Sequence, residues 1–411
     1  MTETADGTGT ASGPTATLGF DPYDPDFLAD PYRHYRRLAE AGPATRGEGG
    51  PLVVTSNRAC AAVLRDPRFG RGGDAAVMRD EDRTVNRSRR SFLVMDPPDH
   101  TRLRGLVGKA FTPRMVERLR PRVADLVDEL LDAAMEKGEV DLVEALAYPL
   151  PVTVISELLG VPAGDWPRFR GWVDDLAAGL DPDFLQPPER IRRRERSRAE
   201  FCAYLLDLFA RRRADPGDDL ISALLAVEES GDALSEDELL STCVLLIVAG
   251  HETTISLIGN AVLALLRHPA ELAALREGAV TVGTALDELL RYDAPVQSTV
   301  RVALEPADVG GTAVAEGELV MLMLGAANRD PAVFADPDRL DLGRDARRHL
   351  AFGLGIHFCL GAPLARLEAE AALKRLAGRA PALALATGPD GLRYKDRLVL
   401  RGLAELPVRL R

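Results

Sequence analysis

Residues 351–366 read AFGLGIHFCLGAPLAR, and one cysteine, Cys359, stands in this glycine-rich loop. Glycines let the backbone take unusual φ values and pass close to another group. The run after Leu364 has the apolar spacing of an amphipathic helix, so the sulfur is expected near a helix N-terminus. Unpaired N–H groups at that end of a helix stabilise a thiolate. The loop therefore predicts a functional cysteine, framed by Gly353, Gly355 and Gly361.

The residues alone leave three interpretations of Cys359 open. A buried thiolate needs a positive partner, and a metal ion is one such partner. Alternatively, the cysteine is a nucleophile with His357 as its base. Residues two apart on a tight loop seldom meet in a productive geometry, and the sequence offers no third group to orient the base. The third interpretation is an inert buried cysteine.

Length and composition describe an ordinary globular protein. The 411 residues are 46% hydrophobic and 28% charged, and length alone favours two domains. The net charge of −12 argues against nucleic acid as a partner, because phosphate binding needs a basic surface. The cysteines form no C-x-x-C pair, which disfavours an iron–sulfur cluster, a structural zinc site and a disulfide framework. They are Cys60, Cys202, Cys243 and Cys359.

The N-terminal segment predicts neither a secretory signal nor a membrane anchor. Residues 1–17 are rich in Thr, Gly and Ala, lack a basic region followed by an apolar one, and favour a disordered tail. No apolar run in the chain approaches the ~20 residues that span a bilayer. We therefore expect a cytoplasmic protein without membrane contact.

Helical periodicity dominates the chain. The segment PRMVERLRPRVADLVDELLDAAMEKG, residues 113–138, repeats apolar residues every three or four positions and predicts two helices that break at Pro121. Strand-like pieces are short. They are PLVVTS at 51–56, GELVMLMLG at 317–325 and RLVLRGLAELPVRL at 397–410. The sum predicts a mainly α fold with small β-sheets.

The longest predicted helix runs from Glu236 to about His268. Ser235 and Glu238 fit a capping box at its start, and Pro269 stops it. About 32 residues at 1.5 Å each span roughly 48 Å, enough to cross the molecule. The middle of the helix, CVLLIVAG, is apolar on every side, so this part should be buried in the core.

The motif AGHETT, residues 249–254, interrupts this apolar helix. Gly250 costs a helix interior about 1 kcal/mol, and a buried Glu252 is costly unless it is paired. The Thr253 hydroxyl can bond back to the carbonyl of Ala249, four residues earlier, and so loosen the helix locally. A polar turn that faces solvent is the alternative interpretation, which the apolar flanks disfavour.

A possible ion pair lies in the motif DELLRY. Glu288 and Arg291 are three residues apart, so they share one face of a helix and can pair. Most such pairs in proteins are solvated on the surface, and the motif by itself does not distinguish a buried pair from an exposed one.

The motif MDPPDHTRLR predicts the start of another helix. Asp96 is expected to cap a helix whose first residue is Pro97. His100 and Arg104 then fall four residues apart on one face and present two cationic donors together. A solvated basic face is the alternative interpretation of this pair.

Together these motifs resemble the cytochrome P-450 family, the haem-thiolate monooxygenases, and its soluble bacterial branch in particular. FGLGIHFCLGAPLAR is similar to the haem-ligand loop of the family at every characteristic position, and AGHETT is similar to its oxygen-activation turn. DELLRY matches its core helix pair, and DPPDHTRLRGLVGKAFTPR resembles its haem-flanking helix. LLGVP and ANRDPAVFADPDRLDLGRD are further similar segments, although Leu340 stands where the family often has Phe.

The resemblance covers the chain from about Leu18 and implies the family fold. That fold is one triangular, mostly helical domain with small sheets, expected here over residues 18–411, with one long central helix over the haem. The cofactor would be haem b, iron protoporphyrin IX.

The resemblance also assigns roles to single residues. Cys359 would be the proximal iron ligand, and Phe352 would pack against the haem beside it. Glu252 and Thr253 would be catalytic and deliver protons to bound dioxygen. The haem propionates would be held by His100, Arg104, Arg301 and His357. Further residues at the haem would be Ala249, Gly250, Gly353, Gly361 and Ala365. Glu288 and Arg291 would form a buried structural pair.

The implied reaction inserts one oxygen atom from O₂ into a bulky, largely apolar natural product, by hydroxylation or epoxidation in bacterial secondary metabolism. The expected pocket walls are Leu245, Val248, Ala249, Val296, Thr299, Val399 and Leu400. The arginine-rich segment RDEDRTVNRSRRSF, residues 79–92, could receive a carboxylate or a carrier-protein-bound substrate through Arg89 and Arg90. A solvated loop is the stronger interpretation of that segment.

Electrons are expected from a ferredoxin or flavodoxin that docks on the proximal face. A local basic patch there would attract an acidic partner despite the net charge of −12. The expected members of this patch are Arg114, Arg118, Arg120, Arg122, Arg347 and Arg348. The protein itself is expected to be a monomer.

Other functions are possible on the same fold. One is a peroxide-driven oxidation, an isomerisation or an oxidative coupling, and another is a haem sensor without enzymatic activity. Enzymes that need no electron partner tend to lose the acid–alcohol pair, and a sensor does not need it. The presence of both Glu252 and Thr253 therefore disfavours these alternatives.

Overall fold

The three-dimensional structure is a computed structural model that describes residues 21, 23–47, 50–71, 91–181, 186–229, 232–388 and 391–411. The expected disordered tail, residues 1–17, lies outside the described residues. The proposed carboxylate-binding residues Arg89 and Arg90 lie outside them as well.

The described chain is mainly helical, as the periodicity predicts. A π-helical turn, Val143–Ala147, precedes the seventh helix. The α-helices are α1 (Pro25–Ala29), α2 (Pro31–Glu40), α3 (Asn57–Arg65), α4 (Asp99–Ala110), α5 (Pro113–Arg118), α6 (Arg120–Lys137), α7 (Pro149–Leu158), α8 (Trp166–Ala177), α9 (Pro188–Ala214), α10 (Leu220–Ala226), α11 (Glu236–Arg267), α12 (Pro269–Arg276), α13 (Val282–Tyr292), α14 (Leu324–Ala327) and α15 (Ala362–Arg379).

The strands are short and form small sheets. They are β1 (Ala44–Arg46), β2 (Leu52–Val54), β3 (Phe69–Gly70), β4 (Glu139–Asp141), β5 (Glu228–Glu229), β6 (Asp232–Ala233), β7 (Thr299–Ala303), β8 (Ala307–Val309), β9 (Thr312–Val314), β10 (Leu319–Leu322), β11 (Ala384–Leu385) and β12 (Pro407–Arg409). The largest sheet has the order β1-β2-β10-β7-β3, with β10 parallel to β2 and antiparallel to β7. The others are β11-β12-β4, β5-β6 and β8-β9. Of the three predicted strand segments, the first two give β2 and β10, and the C-terminal one gives only β12.

The long predicted helix is present as α11, and its start has the predicted capping box. The Glu238 N–H donates to the Ser235 hydroxyl at 3.2 Å, and the Ser235 N–H donates to the Glu238 carboxylate at 2.9 Å. Helices α7, α8, α13 and α15 all pack against α11, so it is the axis of the core. By length and composition α11 would pass as a membrane-spanning helix, contrary to the sequence expectation. However, 67% of its most apolar window is buried in the fold, as in the core helix of a globular domain.

Two predicted helix boundaries are wrong. The break between α5 and α6 lies at Leu119, and Pro121 occupies the second position of α6, where a missing N–H costs nothing. Asp96 does not cap α4, which begins at Asp99. The Asp96 carboxylate instead accepts the backbone N–H of Arg71 at 2.8 and 2.9 Å, so a tertiary hydrogen bond replaces the local cap.

The pair Glu288–Arg291 is completely buried and joins α13 to the segment that leads toward the cysteine loop. Both side chains have 0% exposure, and two N–H···O bonds of 2.6 and 2.7 Å link them. The guanidinium also donates to the carbonyls of Asn328 and Pro337, at 3.1 and 2.8 Å. The carboxylate accepts the Asp341 N–H at 3.0 Å. The pair therefore has the partners that a buried charge requires.

We expect Glu288→Ala to lower the free energy of unfolding by about 3–5 kcal/mol, because it leaves the Arg291 charge buried without its partner. Chemical denaturation measures this loss. The matched control is Glu117→Ala, since Glu117 and Arg120 have the same i, i+3 spacing but are 64% and 55% exposed. That exposed pair should contribute only about 0–1 kcal/mol. Equal losses in the two variants would contradict the structural role of the buried pair.

Candidate functional site

The cysteine loop has most of the predicted geometry, although Gly361 has an ordinary φ of −81°. Cys359 donates its N–H to the carbonyl of Phe352 at 2.9 Å, which closes the loop, and α15 begins three residues later. Gly353 and Gly355 have φ values of +67° and +69°, a region that favours glycine. A side chain on Gly355 would also collide with the backbone, because its Cβ would lie 2.3 Å from the Leu64 carbonyl oxygen.

Electrostatics around Cys359 favour a metal-bound sulfur over a nucleophile. Burial raises the pKa of the thiol, while the N–H groups of Gly361 and Ala362 and the Arg104 guanidinium act to lower it. Burial outweighs them, so a stable thiolate needs one more positive charge at the sulfur. Burial and several cationic neighbours lower the pKa of His357 to about 2, which makes this imidazole too weak a base to activate the thiol.

A cluster of hydrogen-bond donors lies beside this loop. The imidazoles of His100 and His357 lie 4.4 Å apart between ring centroids, and none of their nitrogens has a hydrogen-bond partner in the described part of the chain. Burial and then the charge of Arg71 lower the pKa of Arg301 to about 9. The Arg71 Nε is also buried without a partner among the described residues. Arg301 donates to the Val300 carbonyl at 2.9 Å, but the two imidazoles and the Arg71 Nε remain without partners within the described chain, and such a cluster fits a ligand with carboxylate groups.

The structure both corrects and extends the predicted donor set. His100 is not a second cation beside Arg104, because burial and then the Arg104 charge lower the His100 pKa. A neutral His100 still offers one N–H donor. Arg104 donates to the Phe358 carbonyl at 2.5 Å and so also braces the cysteine loop. Arg71 was missed because no motif marks it; its only sequence signal is an arginine directly after a short strand-like segment.

One face of α11 is open within an otherwise buried helix. Its residues Ala249, Gly250 and Thr253 are only partly buried, while most of the helix around them is buried. The Thr253 hydroxyl donates to the Ala249 carbonyl at 2.7 Å, as predicted, and the Thr254 hydroxyl donates to the Gly250 carbonyl at 3.1 Å. This open face is the surface on which a flat ligand and a small molecule can meet the helix.

Glu252 points away from that face into a charged cluster. It is 1% exposed, and its Oε1 accepts from the Lys395 ammonium at 2.7 Å. Burial acts to raise the Glu252 pKa, but Lys395, His251 and Arg397 together lower it below its ordinary value. The sequence predicts that this buried carboxylate must be paired, and Lys395 is the partner.

The expected pocket residues come from three segments. Val296 forms an isolated bridge with Leu400, and the carbonyl of Val399 accepts the Gln297 N–H at 2.9 Å, so these two segments are adjacent. Leu245 on α11 and Thr299 at the start of β7 are partly buried and can present surface. Val248 and Leu400 present little surface to a ligand, because they are 8% and 2% exposed.

Three of the six arginines in the expected basic patch form ion pairs within the chain. The internal ion pairs are Arg120–Glu117, Arg122–Glu157 and Arg347–Asp345. The remaining arginines are exposed and make no ion pair in the described part of the chain: Arg114, Arg118 and Arg348. On the cysteine loop itself, Ile356 and Phe358 are 50% and 43% exposed, which is high for large apolar side chains.

The sequence and the structure are both similar to those of known proteins of one family. The family model "Cytochrome P450" matches residues 51–377. The chain is 46% identical to the cytochrome P450 monooxygenase PikC of Streptomyces venezuelae, over 100% of this chain and 98% of that protein. It is 42% identical to the 6-deoxyerythronolide B hydroxylase of Saccharopolyspora erythraea, over 93% and 97%. Its structure is similar to the bacillaene polyketide synthase cytochrome P450 PksS of Bacillus subtilis, with TM-score 0.87, 39% identity and coverage of 95% and 99%.

The ion pair of Glu252 predicts a pH-dependent stability. The folded-state pKa of Glu252 is lowered, so the pair stabilises the protein above the ordinary pKa of a glutamate and is lost as pH falls through the folded value. In Lys395→Met the carboxyl stays buried without its ammonium. We expect the free energy of unfolding to drop by about 2 kcal/mol near pH 7, less than for a fully buried pair, and by much less near pH 4.

Urea denaturation at the two pH values measures this difference. Lys374→Met is the matched control, because Lys374 is exposed and should change stability little at either pH. An equal loss at both pH values in Lys395→Met would show that the side chain acts through packing alone.

Proposed function

This chain belongs to the cytochrome P450 family, and we propose that it is a haem-thiolate monooxygenase whose iron ligand is Cys359. The family implies a haem cofactor and an enzyme that incorporates oxygen. Two of its relatives are named for polyketide biosynthesis and for biotin biosynthesis. The observation that carries the residue assignment is the buried sulfur on a closed loop at the start of α15, which needs one further positive charge.

The residues around Cys359 fit a haem. Cys359 would bind the iron, and Phe352, with its ring 6.4 Å from that of Phe358, would pack beside the sulfur. Bound through a thiolate, haem iron supplies the oxygen-activating chemistry, which electron donation from the sulfur favours. The carboxylates of the cofactor match the donor cluster, whose members would be His100, Arg104, Arg301, His357 and, in addition, Arg71.

The long helix supplies the other wall of the site. Ala249 and Gly250 would lie against the cofactor on the open face of α11. The Thr253 hydroxyl donates its one proton to the Ala249 carbonyl at 2.7 Å, so its oxygen would accept a hydrogen bond on this face and would donate one only after the hydroxyl rotates. Glu252, one residue earlier, would hold protons that arrive from solvent and pass them toward Thr253. Neither residue needs to touch the substrate in this proposal.

The substrate is proposed to be a bulky, largely apolar natural product. The pocket residues that present surface are mostly apolar, which suits such a ligand. The names of relatives suggest a test panel: 6-deoxyerythronolide B, vitamin D3, hexadec-9Z-enoic acid, testosterone and myristic acid. The spin-state change of the ferric haem on binding ranks these compounds. One structural relative, P450BioI, binds its acyl chain on an acyl carrier protein, so a carrier-bound acid belongs in the panel.

We expect Thr253→Val to keep haem and substrate binding but to uncouple NADPH consumption from product formation. The isosteric valine fills the same space and removes the hydroxyl, so peroxide should be released in place of product. With the best panel compound, product formed per NADPH should fall about fivefold or more. Thr253→Ser keeps the hydroxyl and should remain coupled. A valine variant as well coupled as the serine variant would show that Thr253 only shapes the helix.

A ferredoxin or flavodoxin is the proposed electron donor, and the cytoplasm is the proposed location. The donor would dock where Ile356 and Phe358 are exposed and where three arginines are not neutralised within the described chain. Reversing Arg114, Arg118 and Arg348 to Glu should slow reduction by an acidic ferredoxin about tenfold at low salt and weaken its salt dependence. Reversal of Arg192 and Arg196, exposed on α9, is the control. Equal rates in both variants would exclude this patch.

A further inference from the structure

His251 has no role in the proposed function, although it stands in the middle of the AGHETT motif. It is 0% exposed, and its Nδ1 lies 2.9 Å from the Ile247 carbonyl oxygen. A carbonyl can only accept, so Nδ1 carries the proton of the neutral ring and Nε2 is a bare acceptor. Nε2 is buried and has no hydrogen-bond partner in the described part of the chain. A buried acceptor of this kind requires a donor.

Two carboxyl groups lie beside this ring. The Glu252 Oε2 lies 3.9 Å from the His251 Nε2, and a carboxyl oxygen of Asp174 on α8 lies within 4.8 Å of both a ring nitrogen of His251 and a carboxyl oxygen of Glu252. These separations exceed a direct hydrogen bond but suit one bridging water, whose two bonds span up to about 5.6 Å. Three polar partners are enough to hold such a water.

The charges around these three side chains favour a proton path over a metal ion. Lys395 lies 2.7 Å from the other oxygen of Glu252, and Arg397 and Arg170 also face the carboxyl groups, which disfavours a divalent cation there. Burial and then the Glu252 charge raise the Asp174 pKa. Burial acts to raise the Glu252 pKa too, but Lys395 and its neighbours lower it. The two carboxyl groups therefore differ in proton affinity, with Asp174 the better proton carrier.

Further titratable groups surround Asp174 and Glu252. Burial places the pKa of Tyr148 far above neutrality, and the Glu252 charge raises that pKa further. Burial lowers the pKa of His251 to about 4, so this ring stays neutral near pH 7. Of the two carboxyl residues, Asp174 is exposed as a whole residue, although the protein atoms packed around its carboxyl group desolvate that group and raise its pKa, while Glu252 is 1% exposed. A proton that enters from solvent therefore reaches Asp174 first.

We propose that Asp174 is the solvent-side proton donor to Glu252, through one water held by the bare nitrogen of His251. The proton of the Asp174 carboxyl passes to the water, and the water gives another of its protons to the Glu252 carboxylate. The Asp174 carboxylate then takes a proton from bulk solvent, and no electron moves. Asp174 and His251 are thus positioning residues that act through Glu252. The proposal rests on the proton delivery by Glu252 and Thr253 described above.

Asp174→Asn tests the proposal in the haem-loaded enzyme with ferredoxin, reductase, NADPH and the panel compound that binds best. Oxidation driven by O₂ takes up two protons from solvent, whereas hydrogen peroxide brings its own. We expect product formation with O₂ and NADPH to fall about tenfold, with the peroxide-driven reaction unchanged. Asp174→Glu should stay within about threefold of the parent. Asp396→Asn, which removes a nearby exposed carboxylate beside Lys395, should change neither reaction.

A double variant separates a shared path from two local defects. His251→Leu should slow the O₂-driven reaction like Asp174→Asn, and the two changes together should be no worse than either alone, because both remove the same water. Additive losses, an equal loss in the peroxide-driven reaction, or a loss in Asp174→Asn no larger than in Asp396→Asn would each overturn the proposal.

Infrared spectroscopy tests the same proton without any turnover. In pH-difference spectra of the substrate-free ferric protein, a protonated carboxyl band should persist above the ordinary pKa of an aspartate and disappear in Asp174→Asn. An unchanged band would overturn the proposal even if no panel compound is oxidised. If Thr253→Val stays coupled while the Asp174 band is present, the relay of the proposed function fails and Asp174 is a protonated residue without that role.

Discussion

The cost of burying charge is the constraint on which this structure depends. A buried ionised group is stable only beside an opposite charge or a full set of hydrogen bonds. The fold meets this requirement at Glu288–Arg291 and at Glu252–Lys395 with partners that belong to the chain. At the cysteine loop the described residues do not supply all the partners that the buried groups require. The Cys359 sulfur lacks a sufficient positive neighbour, and the ring nitrogens of His100 and His357 and the Arg71 Nε beside it lack partners among the described residues. An iron porphyrin at this site would supply both the positive charge and the carboxylates.

The geometry of α11 places Thr253 and Glu252 in different surroundings. Successive residues of a helix point about 100° apart, so Thr253 and Glu252 face different surroundings although they are neighbours in sequence. Thr253 lies on the partly buried face, held by the Ala249 carbonyl. Glu252 is buried and faces α8 and Lys395, whose side chain is 23% exposed. The motif thereby places a hydroxyl on the open face of the helix and a carboxylate in a buried charged cluster within a single residue step, an arrangement that suits the proton delivery proposed above.

The sequence predicted features that depend on local geometry and missed those that depend on distant contacts. The capping box of α11, the bond from Thr253 to Ala249 and the glycine-framed loop each involve residues within a few positions of one another, and all are present. The Asp96 cap failed because a backbone N–H from another part of the chain binds that carboxylate. Lys395 lies 143 positions from Glu252, so no periodicity could reveal it. Arg71 and the neutral state of His100 likewise follow only from the folded arrangement of charges.

The ligand of the haem iron is the claim on which the functional account rests most directly. It is measured by the absorption spectrum of the reduced, haem-loaded protein under carbon monoxide, with Cys359→His as the comparison. Ligation of the iron by Cys359 should give the strongly red-shifted Soret band of a thiolate in the parent protein, and the variant should lose that band even where haem is retained. A parent spectrum of the histidine-ligated type, or a red-shifted band that survives in Cys359→His, would contradict the account.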